Sequence, residues 1–212
     1  MAYMCDFETT TDPEDCRVWA WGVCDIDNPE NFEYGNSIKE FLKWLRKHTG
    51  VKLYFHNLKF DGEFIIHNLF KEGFHHNPDK TKLEPNQFST LISDKGNFYT
   101  MDICYKKYGR KRVGNTIIDS LKILPFSVEQ IAKTFGLPMS KGEIDYSKYR
   151  EPGYMLTEDE VDYLRRDVQI PAKALKLLFN QGLQEITQGS NALHDYKKIL
   201  GDKLFNYRFP TT

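Results

Sequence analysis

Asp6 and Glu8 stand two residues apart in the run Cys5-Asp6-Phe7-Glu8-Thr9-Thr10, near the start of a 212-residue chain. Successive side chains of a strand point to opposite faces, so the two carboxylates share one face and Cys5 and Phe7 take the other. Adjacent anions repel and raise each other's pKa unless a cation or hydrogen-bond donors offset them, and the flanking Tyr3, Met4 and Phe7 argue for partial burial. A hard divalent cation would resolve that conflict; a strand end with two solvated acids is the alternative. Two further acids fall where an α/β fold could gather them, Asp61 at the start of a helix that follows a strand and Asp167 on a late helix. Oxygen-only ligation by carboxylates suits magnesium or manganese rather than zinc. Two such ions about 3.5–4 Å apart form a clamp for in-line attack at phosphorus, and one acid can bridge both. Asp6, on a central strand, is the expected bridge.

The elements that must position these acids are readable from periodicity and punctuation. Residues 3–8 and 17–25 read as a β-hairpin opened by a turn around Pro13. Ser37-Ile38-Lys39-Glu40 is a capping-box sequence, and Ile38, Phe41, Leu42 and Leu45 follow at helical spacing, which predicts a helix from Ser37 to His48. Residues 51–55 read as a buried strand and residues 61–72 as a helix stopped by Gly73. Residues 75–86 read as a loop, and 87–93, 97–105 and 113–118 as antiparallel strands. Ser127-Val128-Glu129-Gln130 and Thr157-Glu158-Asp159-Glu160 are two more capping boxes; the second opens the longest helical pattern, on which Tyr163 and Asp167 lie one turn apart. Pro171 cannot donate to the carbonyl of Asp167, so a bend is expected just beyond that residue. A last helix is expected over 191–200, ended by Gly201. The alternation places the chain in the α/β class.

Hydrophobic residues at 40% and aromatics at 14% describe a packed globular protein, and a net charge of −1 excludes a uniformly basic coat for nucleic acid. Any polyanion contact must come from local patches. The segment 106–112 concentrates five cations around Gly109 and reads either as a solvated hairpin tip or as a phosphate-contacting finger. The four cysteines are scattered without metal-ligand spacing and read as free thiols of a reducing compartment. His56 has no second ligand at zinc spacing, and His67, His75 and His76 are assigned to the surface. No apolar run is long enough for a membrane span, and the N-terminus has no signal-peptide pattern, so a soluble cytoplasmic protein is expected.

Asp6-Phe7-Glu8-Thr9, Asn57-Leu58-Lys59-Phe60-Asp61 and Tyr163-x-x-x-Asp167 together resemble the three motifs of the DEDDy class of 3′–5′ exonucleases. The segments 54–62, 119–126 and 141–146 are similar to the N-terminal proofreading domain of protein-primed family-B phage DNA polymerases, and the resemblance runs from Tyr3 to about Pro210. It implies a ribonuclease-H-like exonuclease fold, a mixed central β-sheet flanked by helices. It also implies two divalent ions, Mg2+ or Mn2+, held by Asp6, Glu8, Asp61 and Asp167. Tyr163 would orient the attacking water, and Lys141 would approach the scissile phosphate. Thr9, Tyr54, His56, Asn57, Phe60, Phe64, Ser120, Leu121 and Tyr146 would line a single-strand channel, mixing rings for stacking with small hydrogen-bonding groups. Read from the residues alone, Tyr54, Phe60 and Phe64 could equally be core, His56 a hydrogen-bonded loop residue and Lys141 a solvated lysine.

The sequence departs from that family in lacking the polymerase motifs, so residues 1–212 are read as a single exonuclease domain without its polymerase half. The expected partners are a single-stranded DNA 3′ end, a priming (terminal) protein and the polymerase domain of a parent chain, with the chain itself a monomer in the host cytoplasm. Two other readings stand beside the exonuclease: a non-catalytic module docking the priming protein and displaced strand, and an RNA-acting exonuclease of the same fold, distinguished by its response to the 2′-hydroxyl.

Overall fold

The computed structural model describes residues 1–138, 144–183 and 185–210. Eight strands form one mixed sheet: β1 (Ala2–Thr9), β2 (Val18–Asp25), β3 (Phe32–Gly35), β4 (Lys52–Phe55), β5 (His75–His76), β6 (Gln87–Ile92), β7 (Phe98–Tyr108) and β8 (Lys111–Asp119). Their spatial order is β3-β2-β1-β4-β8-β7-β6-β5. β1, β4 and β8 run parallel in the middle, while β2 and β7 are antiparallel to their central neighbours.

The parallel core follows from composition. Leu53, Phe55 and Ile117 are fully buried and apolar, as a strand covered on both faces requires. One face of the sheet packs α1 (Ile38–Lys47) and α2 (Leu58–Lys71) on Cys5, Phe7, Val23, Leu53, Phe55 and Ile117. The other packs α3 (Val128–Thr134) and α4 (Glu158–Asn180) on Met4, Cys24, Tyr54 and Ile118. The alternation expected for β1 therefore holds, with Cys5 and Phe7 facing α1 and α2.

The helix signals translate into contacts. Ser127 and Thr157 each accept from the backbone N–H three residues on, and Gln130 and Glu160 reach back to the cap, completing both boxes. At α1 only half the box forms: Ser37 accepts from Glu40, whose carboxylate instead takes the N–H of Asn36 at 3.0 Å. Four elements differ from the sequence reading. α2 begins at Leu58, not Asp61, because Asn57 adopts a left-handed conformation (φ 81°) that turns the chain into the helix immediately after β4. β3 and β5 are edge strands of 4 and 2 residues, too short for a periodic signal and defined by their partners. A further helix, α6 (Asp202–Arg208), follows α5 (Gln188–Leu200) across Gly201. α4 continues in helical form through Pro171 to Asn180.

The basic segment is also narrower than expected. Strands β7 and β8 pair as far as Tyr108 and Lys111, so Gly109 (φ 59°) and Arg110 alone make the turn. Lys107 is paired with Glu84, and Arg112 donates to Asp102 at 2.8 Å, while Lys106, Arg110 and Lys111 are exposed.

Two irregularities fit α4 against the sheet. A bulge between Glu8 and Thr9 leaves Trp19 extra on β2, so Trp19 and Ala20 both pack with Leu164 of α4 while Val18 joins the opposite core. Gly22 sits directly across from Asp6, and a Cβ there would lie 2.7 Å from Leu164 Cγ and 3.1 Å from Phe32 Cε2. The missing side chain lets the helix carrying Tyr163 and Asp167 approach the strand carrying Asp6 and Glu8. Gly22→Ala is expected to cost about 1–3 kcal/mol by overpacking, measured by urea unfolding. A loss below about 0.5 kcal/mol, the range of inert surface changes, would show that α4 does not depend on this close approach.

Candidate metal centre and nucleic-acid groove

The carboxyl ends of the parallel strands converge on one edge of the sheet, where crevices of α/β folds form. β1 delivers Asp6 and Glu8 there, β4 leads into His56 and Asn57, and β8 ends in Asp119. One carboxylate oxygen each from Asp6, Glu8 and Asp167 lies within 4.8 Å of the others, Glu8 and Asp167 buried and Asp6 partly exposed. These three could hold a metal ion. Tyr163, 4% exposed, lies one turn before Asp167 on α4.

Asp61, in the first turn of α2, is not one of that group of three but lies near enough to Glu8 for the two charges to act on each other. It is 3% exposed, and its Oδ1 has no hydrogen-bond partner among the described residues. Burial pushes its carboxyl well above the usual range, the nearby Glu8 and Asp119 charges add to that, and the backbone amides of Asp61 and Phe7 oppose it. A buried acid with an unsatisfied oxygen beside a second acid fits a bound cation, which would supply the missing partner. Burial raises the Tyr163 phenol as well, followed by the Asp167 charge and the hydrogen bond with Tyr146, so it stays protonated at neutral pH.

The expected channel residues divide by accessibility. Asn57, Phe60 and Phe64 line a groove of about 580 Å³ together with Cys16, Lys59, Glu63 and His67. Phe60 is 52% exposed, and its ring lies 5.8 Å from that of Phe64. Thr9 and Tyr146 line a second recess of about 250 Å³, with Lys148 and Arg150. The Tyr146 hydroxyl is 3.1 Å from that of Tyr163. Leu121 is half-buried. Ser120 and Tyr54 correct the expectation. Ser120 is wholly buried and donates to the carbonyl of Phe55 at 3.0 Å, so it presents no surface to a strand. Tyr54 is 5% exposed and packs with Phe179 in the α4 core, where burial raises its phenol to about 12. Ser120 instead meets His56 Nδ1 at 3.1 Å, and His56 Nε2 lies 2.7 Å from the carbonyl of Phe126. Lys141 falls in 139–143, outside the described residues.

One residue of consequence was unassigned from sequence. The Asp119 carboxylate, 1% exposed, accepts from the backbone N–H groups of Asn57 (3.1 Å), Leu58 (3.3 Å) and Leu121 (3.0 Å). It caps a turn of 3₁₀ helix at Ser120–Lys122 and holds Asn57 in its left-handed conformation at the mouth of the groove. The local signal was an Asp directly before that turn, a common cap position. The bonds to residues 57 and 58 have no local signal.

The crowding of acids has a thermodynamic sign. A carboxyl whose folded pKa is raised costs nothing below its unfolded value and progressively destabilises the fold as pH rises from the ordinary carboxylate range to the raised value. Asp61→Asn should therefore raise the melting temperature of chelator-treated protein at neutral pH and leave it unchanged at pH 3. The same substitution should shrink the melting-temperature increase caused by adding Mg2+ or Mn2+. Scanning calorimetry with and without metal checks both; an Asp61→Asn variant less stable than the parent without metal would overturn the crowding argument.

Over residues 43–153 the chain matches the family model described as DNA polymerase type B, organellar and viral. It is 48% identical over 209 residues to the DNA polymerase of Bacillus phage PZA and 47% identical over 209 residues to that of Bacillus phage phi29, covering 99% of this chain and 36% of either protein. Among solved structures, phi29 DNA polymerase complexed with single-stranded DNA superposes with a TM-score of 0.92 at 45% identity, over 97% of this chain and 36% of that one. The fold is ribonuclease-H-like. The chain thus spans about a third of the length of these relatives. It belongs to the type B DNA polymerases, organellar and viral, and within them it aligns with phage polymerases of the phi29 type.

Proposed function

We propose that this chain is a metal-dependent 3′–5′ exonuclease domain that removes nucleoside monophosphates from single-stranded or frayed DNA 3′ ends, as the proofreading part of a protein-primed DNA polymerase. The observation that carries the reading is the convergence of Asp6, Glu8 and Asp167 within 4.8 Å, beside a protonated, buried Tyr163.

Asp6, Glu8 and Asp167 would hold one ion, and Asp6 with Asp61 a second. Magnesium or manganese, when bound, would supply the positive charge that lowers the cost of water ionisation and offsets charge building on the leaving oxygen. The residues do the rest. The Tyr163 phenol, too weak an acid to serve as a base, orients the attacking water by hydrogen bonding. Water oxygen bonds to phosphorus, the bond from phosphorus to the 3′ oxygen breaks, and that oxygen takes up the proton. Lys141 is assigned to the scissile phosphate by family resemblance. Phe60 and Phe64 offer faces for base stacking, and Asn57 and Thr9 offer hydrogen bonds, a sequence-tolerant combination. A relative solved with single-stranded DNA supports the same class of ligand. The polymerase half of a parent chain and a priming protein are the partners this role implies, with the host cytoplasm as its site of action.

Digestion of a 5′-labelled single-stranded DNA oligonucleotide with Mg2+ or Mn2+ tests the proposal. A ladder shortening from the 3′ end is expected, lost with EDTA and reduced at least about a thousandfold in Asp6→Ala/Glu8→Ala, as for removal of charge-stabilising machinery. A parallel RNA oligonucleotide should be cut more slowly; faster cutting of RNA would replace this reading with the RNA-acting one. Full activity in the double variant would sink the metal site.

A further inference from the structure

Residues 144–157 contain no helix or strand, yet their centre is tied down by a buried guanidinium. Arg150 is 3% exposed. Its Nε and Nη2 both lie 2.9 Å from Glu160 Oε1, its Nη1 donates to the carbonyl of Lys148 at 2.9 Å, and its Cζ sits over the Trp19 ring, 4.1 Å from the centroid. The Arg150 carbonyl accepts from Arg17, which is paired with Asp15, and Asp15 in turn accepts from the Tyr149 hydroxyl at 3.3 Å. The other oxygen of Glu160 is engaged by the N–H of Thr157 at 2.9 Å. Arg150 thereby joins β2 and the first turn of α4 through its side chain, and the connection between β1 and β2 through its backbone carbonyl.

The strap ends at the chemistry. Tyr146 precedes Arg150 by a few residues, is 49% exposed, and places its hydroxyl 3.1 Å from that of Tyr163. Tyr163 lies one turn beyond Glu160 on the same helix, and Asp167 one turn beyond that. Arg150 fixes the chain four residues beyond Tyr146, and its partner Glu160 stands one turn before Tyr163, so one ion pair ties together the two segments whose tyrosine hydroxyls meet. A buried ion pair is a poor way to gain stability, since desolvation offsets most of the Coulomb attraction. What the guanidinium adds is direction: a planar fork satisfies two acceptors and a ring face at once, which an ammonium cannot. We propose that Arg150 is a positioning residue of the hydrolytic site, holding Tyr146 against Tyr163 through its pair with Glu160. The inference rests on the exonuclease reading for its kinetic consequence and on geometry alone for the strap.

A double-mutant cycle on kcat/KM for single-stranded DNA tests it, run well below each variant's melting temperature. Arg150→Lys is expected to lower kcat/KM about tenfold, as misplacement of a reacting group does. In the Tyr146→Phe background the same substitution should cost less than about twofold, because coupled residues are not additive. Glu160→Gln should show the same pattern and serves if Arg150→Lys does not fold. Equal losses in both backgrounds, or a lowered melting temperature with unchanged kcat/KM, would leave Arg150 a stability residue and overturn the proposal. If the parent protein does not shorten DNA, the exonuclease reading fails by itself. The strap is then decided by the 19F resonance of 3-fluorotyrosine at position 146: a shift in Arg150→Lys upholds it, and an unmoved resonance refutes it.

Discussion

Mutual repulsion among buried carboxylates is the constraint around which this fold is arranged. Asp6, Glu8, Asp61 and Asp167 come from a strand and two helices to one edge of the sheet, and Asp61 has an oxygen that no described side chain or backbone group satisfies. Such a cluster persists only where packing elsewhere outweighs it. Two hydrophobic layers do that, one beneath α1 and α2 and one beneath α3 and α4. The close approach of Leu164 over Gly22 turns that packing into proximity between Asp167 and the strand acids.

Charged groups outside the cluster have a different task. Asp119 and Arg150 are each almost wholly buried: Asp119 accepts from the backbone at the entry to α2 and in the turn after β8, and Arg150 ties Lys148, in a segment without regular structure, to Glu160 in the first turn of α4. Asp119 fixes the entry to α2 and the turn after β8; Arg150 fixes the segment over the start of α4. Backbone amides and a paired carboxylate satisfy these charges, which makes their burial tolerable. The groove side chains Asn57, Phe60 and Tyr146 are thus carried by segments whose positions are set from behind.

Much of this was legible beforehand because its causes are local. The Asp6-x-Glu8 spacing fixes a shared face through strand geometry alone, and the caps at Ser127 and Thr157 involve residues three apart. Asp167 and Tyr163 needed only helical periodicity. What escaped has causes elsewhere in the chain. β3 exists because β2 offers it an edge, the left-handed turn at Asn57 is stabilised by an acid on another strand, and Glu160 read as a cap gave no hint of its second partner. Ser120 shows the opposite failure. A motif match assigned Ser120 to the channel wall, but the wholly buried position of its hydroxyl, within reach of His56, depends on how β4 and β8 pair.

The long separation between the strand acids and Asp167 also bears on how the molecule is made. β1 and β2 form a hairpin from the first twenty-five residues, whereas α4, which covers their Asp6 face, is encoded by residues 158–180. At synthesis rates of ~5–20 residues per second, the hairpin waits on the order of ten seconds for that cover. During this interval Met4 and Cys24 lie on an open sheet face, and a β-hairpin with an apolar face is prone to pair with other chains. Asp6 and Glu8 are then two like charges in water on that same face, where repulsion between copies opposes stacking. Charges that burden the finished core are thus, on an uncovered hairpin, of the kind that opposes aggregation.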